Sequence, residues 1–188
     1  MKGATVMVEP RHRYSTVSIL LHWTIAVLLL VQILLVGDAM TEGDDARYWV
    51  GLHKALGLSI LALTVFRLGW RIVNPAMPLP AGTPRWHRLV ARLTHGLFYA
   101  VLILLPLTGW LASSAVGRDI DWFGLFNWPL IPIGGGRETA GTLMSVHVSL
   151  PKLFYGLVGL HVLAALKHHF INRDNVLRRM LPFIPRRP

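Results

Sequence analysis

The chain has 188 residues, 53% of them hydrophobic and only 15% charged, with nine histidines, no cysteine and a formal net charge of +10. Its mean hydropathy of +0.50 and pI near 11.1 set it apart from soluble domains, in which about one residue in four is charged. The absence of cysteine excludes disulfide frameworks, thiolate zinc and iron–sulfur sites and covalent C-x-x-C-H haem attachment, so any metal or cofactor falls to histidine, the acids or methionine.

Four stretches reach the roughly 20 apolar residues that cross a bilayer. The first covers 17–36, longer than the 7 to 15 residues usual in a signal-peptide core, and is read as a retained helix. A short acidic connection leads to the second, 51–73, which contains the run Leu56 to Phe66 and closes with Arg67 and Arg71. Pro75, Pro78, Pro80 and Pro84 then predict an extended link as far as Trp86. The third stretch, 91–115, contains Pro106, which a membrane helix tolerates when neighbours satisfy the freed carbonyl. The connection 116–144 is the longest, and its Trp122, Phe123, Phe126, Trp128 and Ile131 suit a segment lying in the membrane interface as a lid. The fourth stretch covers 145–171. With no repeat of 20 to 50 residues, the expectation is one all-α integral membrane four-helix bundle over 1–188.

Charge sidedness orients the bundle. Lys2, Arg11 and Arg13 precede the first stretch. Arg67, Arg71, Arg85, Arg88 and Arg92 flank the second connection, and Lys167, Arg173, Arg178, Arg179, Arg186 and Arg187 close the chain. The other side holds Arg47, Lys54, Arg118, Arg137 and Lys152 together with most of the acids: Asp38, Glu42, Asp44, Asp45, Asp119, Asp121 and Glu138. Both termini are therefore expected in the cytoplasm. Only Glu9 and Asp174 offset the basic residues there, so the charge is a topology signal and no nucleic-acid footprint.

His22, His53, His95, His147 and His161 fall in or at the edges of the spans, where an ionisable side chain is costly and points to function; an interhelical hydrogen bond is the plainer alternative for any one of them. His147 and His161 are 14 residues apart, close to four turns, so both face one way about 21 Å apart along the helix. His22 matches the depth of His161 and His53 that of His147. Two imidazole pairs at two depths can hold two flat macrocycles, hence two b-type haems.

Gly57, one turn after His53, and Gly156 and Gly159, between the two histidines of the fourth span, would leave room for a porphyrin edge or serve helix packing. His95 can meet a haem propionate, a quinone oxygen or a neighbouring helix. Arg67 can pair with a propionate or, as expected for Arg71, anchor the helix end. His168 and His169 are expected at the interface; His12 and His87 lie in polar flanks.

With these marks the chain resembles the bacterial cytochrome b561 family, related to the di-haem cytochrome b subunits of nickel-iron hydrogenases and formate dehydrogenases. The resemblance runs through His22-Trp23, His53-Lys54 with Gly57, Phe66-Arg67, and His95 with Tyr99, Pro106 and Gly109. It continues through His147 with Gly159, Leu160 and His161, and the end His168-His169, Arg173-Asp174-Asn175, Leu177, Arg179-Met180 and Pro182. It implies that His22 and His161 ligate a cytoplasmic-side haem, and His53 and His147 an outer one. It also implies quinone as a redox partner in a bacterial inner membrane, and superoxide donating electrons at the outer face to ubiquinone has been attributed within the family. The hydrogenase subunits generally have a fifth helix, so a stand-alone cytochrome is the closer match.

Two axial histidines leave iron no vacant position, which favours electron transfer over ligand activation. The expected function is thus a di-haem electron carrier between a donor and quinone. Two alternatives stand beside it: a haem-bearing membrane anchor serving a redox partner protein, and a transporter using the same histidines for metal. The lack of intramembrane acids weighs against the transporter.

Overall fold

Lipid offers the backbone no hydrogen-bond partners, so a spanning segment must satisfy its own amides, and helices do so within one segment. In the computed structural model, which describes residues 13–39, 45–80, 82–181 and 183–185, four long helices follow one another. They are α1 (Thr16–Ala39), α2 (Ala46–Val73), α3 (Arg85–Ala115) and α4 (Gly136–Leu166). Lys2, Glu9, Arg11, His12, Glu42, Asp44, Pro182, Arg186 and Arg187 lie outside the described residues. All four helices are long and apolar enough to cross a membrane.

Three of them start well before the hydropathy signal does. α2 takes in Arg47, Tyr48 and Trp49, α3 opens with Arg85, Trp86, His87 and Arg88, and α4 opens with Arg137 and Glu138. Such residues lower a hydropathy average, yet they suit the headgroup region, where the helical hydrogen bonds simply continue. α3 begins directly after Pro84, a residue that needs no amide partner at a helix start. Pro106 and Pro151 sit inside α3 and α4 without ending either helix. Pro151 has no N–H to offer the carbonyl four residues back, which is that of His147.

The chain runs up and down: α1 packs on α2, α2 on α3 and α3 on α4, whereas α4 makes little backbone contact with α1 or α2. The packed side of α2 carries Ala55, Leu58, Ile60 and Thr64, all nearly or fully buried. Midway along the bundle Val101, Phe154 and Leu157 form a buried cluster, with Leu29, Phe98, Leu102 and Val158 against it. Large apolar side chains such as Leu30, Leu34, Val65 and Leu163 point outward, as they do where the solvent is lipid.

One end of the bundle carries the α3–α4 connection. Two short antiparallel strands, β1 (Ile120–Trp122) and β2 (Phe126–Trp128), pair Ile120 with Trp128 and Trp122 with Phe126. Phe123 and Gly124 both have positive φ, 56° and 73°, the conformation of a type I′ hairpin turn. The Asp121 carboxylate accepts the Gly124 amide at 3.0 Å. The hairpin lies on α2: Ile120 is buried and the Trp122 indole donates to Ser59 Oγ at 3.1 Å. The other end, the N-terminal face, is closed by the segment after α4. A π-helical turn (Lys167–Ile171) and a 3-10 turn (Leu177–Arg179) bring Met180 O to the Trp23 indole at 2.8 Å and Arg179 Nη1 to Pro78 O at 2.6 Å.

Candidate functional site

The gap that α4 leaves toward α1 and α2 is bridged by histidines. His22 of α1 faces His161 of α4 with ring centres 6.2 Å apart and planes at 74°. His53 of α2 faces His147 of α4 at 6.0 Å and 82°. All four rings are half-buried. The 14-residue spacing on α4 puts the pairs about 21 Å apart along the axis, and the Phe154 cluster fills the space between them.

Two imidazoles on opposite sides of one metal ion, each at the about 2 Å usual for histidine nitrogen, have ring centres roughly 6 Å apart. Both pairs meet that spacing. Among the described residues no three groups of the His, Cys, Asp or Glu type come together as a cage for a bare ion. Zinc takes four ligands, so a pair with no third protein donor suits a group that brings its own equatorial nitrogens. The residues present therefore fit haem.

The pair at the hairpin end is held through its second ring nitrogens. His147 Nδ1 donates to the Leu105 carbonyl of α3 at 2.8 Å, and Thr108 Oγ1 stands 3.4 Å away. That proton position leaves Nε2 free to ligate. His53 Nδ1 lies 2.7 Å from the side-chain nitrogen of Gln32 on α1, which also donates to the His53 carbonyl at 3.0 Å. Gln32 Oε1 is buried without a partner among the described residues. The amide's two ends are assigned from the network: nitrogen toward His53 serves its carbonyl, whereas turning the amide would offer Oε1 to an Nδ1 proton and give that bond up.

The pair at the N-terminal face sits among rings and charge. His95 of α3 lies 5.9 Å from His161, its Nδ1 2.6 Å from the Ala91 carbonyl, and Phe98 lies 5.4 Å from His161. Arg67, half-buried, is in electrostatic reach of His22, His95 and His161. It lines a cleft with Ser18, Trp70, Arg71, Tyr99 and Met180, where the Trp70 indole donates to Ser18 Oγ at 3.1 Å.

The glycines divide. Gly57 lies on the His53 side of α2, and a Cβ there would sit 3.9 Å from both Gln32 and Pro106. Gly156 and Gly159 are exposed, and a Cβ on either would meet nothing within 4 Å. At 100° per residue Gly156 is about 180° and Gly159 about 120° from His147, so Gly156 turns away from that histidine, and no described neighbouring helix packs within 4 Å of a Cβ on either. His168 is bound at 2.6 Å to Asp174 in the turn after α4, outside both pairs.

Sequence reasoning passed over Gln32, although it is the only amide in the apolar run of α1, a visible signal. It also passed over Leu105, whose contribution is a backbone carbonyl and leaves no mark in residue type.

A family model described as prokaryotic cytochrome b561 matches residues 13–183. The chain is 35% identical over 176 residues to cytochrome b561 homolog 2 of Escherichia coli, covering 90% of this chain and 91% of that protein. It is 31% identical to probable superoxide oxidase CybB of Yersinia pestis, over 90% of this chain and 96% of the relative. Cytochrome b562 of Cereibacter sphaeroides is 30% identical, over 89% and 94%.

Proposed function

As this chain belongs to the prokaryotic cytochrome b561 family, a haem-binding electron carrier of the bacterial inner membrane, we propose that it holds two haems b and passes electrons from a donor at the outer face to quinone. The observation that carries this reading is the facing of His22 with His161 and of His53 with His147 across the gap beside α4.

Orientation follows from charge. The N-terminal face carries Arg13, Arg71, Arg85, Arg88, Arg92, Lys167, Arg178 and Arg179, and the hairpin end Asp45, Asp119, Asp121 and Glu138. The positive-inside rule puts the former, with both termini, in the cytoplasm. His22 and His161 would then hold an inner haem, His53 and His147 an outer one. When bound, haem b would supply a one-electron carrier at each pair, and the two histidines of that pair would hold it.

The remaining residues support that task. Phe98 and Phe154, with ring centres 6.3 Å apart, pack the space between the pairs with carbon and keep water out. Arg67 offers its guanidinium to a propionate, and His95 stands beside His161 to meet a propionate or a quinone oxygen. Gly57 keeps the α2 side of the outer pair low. The inner cleft of Ser18, Arg67, Arg71 and Tyr99 presents donors for quinone carbonyls and opens to cytoplasmic protons.

The relative from Yersinia pestis points to superoxide as the donor. Two superoxide anions each give up one electron and leave as dioxygen, while one ubiquinone takes both electrons and two protons to become ubiquinol. Purified holoprotein given ubiquinone and a steady source of superoxide should form ubiquinol at a rate set by protein concentration. Unchanged rates in the presence of the protein, with its haem reducible by dithionite, would contradict superoxide as donor.

A further inference from the structure

α3 supplies neither member of the outer pair, yet it packs directly against His147. A Cβ built on Gly109 would stand 3.0 Å from His147 Cε1 and 3.2 Å from Nδ1, tighter than ordinary van der Waals contact. The imidazole therefore lies in a notch that only glycine leaves open. One turn earlier the Leu105 carbonyl takes the Nδ1 proton at 2.8 Å. Thr108 Oγ1 donates to that same carbonyl at 2.8 Å, so hydroxyl and imidazole share one acceptor. Thr108 is buried, and the site is shielded from competing water.

We propose that this notch of α3, formed by Leu105, Thr108 and Gly109, sets the reduction potential of the outer haem by fixing how strongly His147 donates through Nδ1. The proposal rests on the reading of His53 and His147 as the outer axial pair. An acceptor on Nδ1–H raises the basicity of the ligating nitrogen, which favours oxidised iron and lowers the potential. Loosening the Leu105 bond should raise the potential, and tightening it should lower it. These residues are positioning residues, acting only through His147.

Two substitutions push in opposite directions. Gly109→Ala drives the ring away from the carbonyl. Thr108→Val removes the competing hydroxyl and leaves the imidazole as the carbonyl's one side-chain partner beside its helical amide, with little change of volume. Purified holoprotein is titrated potentiometrically at the haem α band, with low-spin EPR signals recorded for each haem. Gly109→Ala should raise the outer potential by about 59 mV, a tenfold change in a one-electron equilibrium, and move the outer EPR signal. Thr108→Val should lower the outer potential, and the inner haem should stay put in both. Shifts of the same sign, shifts shared equally by both haems, or no shift in either variant would overturn the proposal. If Gly109→Ala loses the outer haem, the sign of the Thr108→Val shift decides. A parent protein that titrates as fewer than two haems would overturn the paired-site reading itself, whereas two parental haems unmoved by the variants would overturn the notch alone.

Discussion

Gln32 shows how one polar residue in an apolar helix takes on meaning from its partner. A primary amide in hydrocarbon is costly unless hydrogen-bonded, and the side-chain amide of Gln32 meets the His53 ring and carbonyl. Groups that hydrogen-bond the other ring nitrogen of metal-ligating histidines typically account for 10- to 100-fold in metal affinity. Gln32→Leu should therefore weaken haem retention at the outer pair by about tenfold and leave the inner pair loaded, as read by pyridine haemochrome assay after dilution in detergent. Equal loss from both pairs would mean that Gln32 serves general packing. The histidines were legible at this scale because ionisable side chains inside a membrane stand out in any sequence. Gly109 was legible only as a mark of resemblance, and its contact with His147 needed the fold. Gly156 and Gly159 drew attention by position between two histidines, and helical phase turns Gly156 away from His147.

Among the elements, α4 and the hairpin show the strength and the limit of periodicity. A spacing of 14 residues survives as one face of α4 even with Pro151 inside it, because a membrane helix keeps its remaining bonds under strong pressure from lipid. The helix starts were less legible: charged and aromatic turns such as Arg85 to Arg88 belong to α3 but fall outside an apolar window. The aromatic connection stood out by composition, while its strand pairing rests on two short three-residue strands and the left-handed pair Phe123 and Gly124. Its attachment to α2 depends on the Trp122 to Ser59 bond. Trp122→Phe keeps the ring and removes that donor, at about 1 kcal/mol. Hydrogen exchange across 116–135 should then rise several-fold with haem content unchanged; unaltered exchange would show that Ile120 burial alone docks the hairpin.

For the molecule as a whole, the apolar composition and the charge of +10 resolve into one architecture. The bundle is open where α4 stands off α1 and α2, and the histidine pairs occupy that opening at two depths with an aromatic cluster between them. Four spans were legible because hydropathy acts over whole segments. The standing-off of α4 was not, since helix neighbours depend on which side chains interlock rather than on how apolar each helix is. The most direct test counts haem in the purified protein and in His53→Ala and His22→Ala, one variant for each pair. Two haems per chain in the parent, and one in each variant with the surviving haem differing in potential between them, is the predicted result. A single haem in the parent, or a full complement in either variant, would contradict the assignment of two bis-histidine sites.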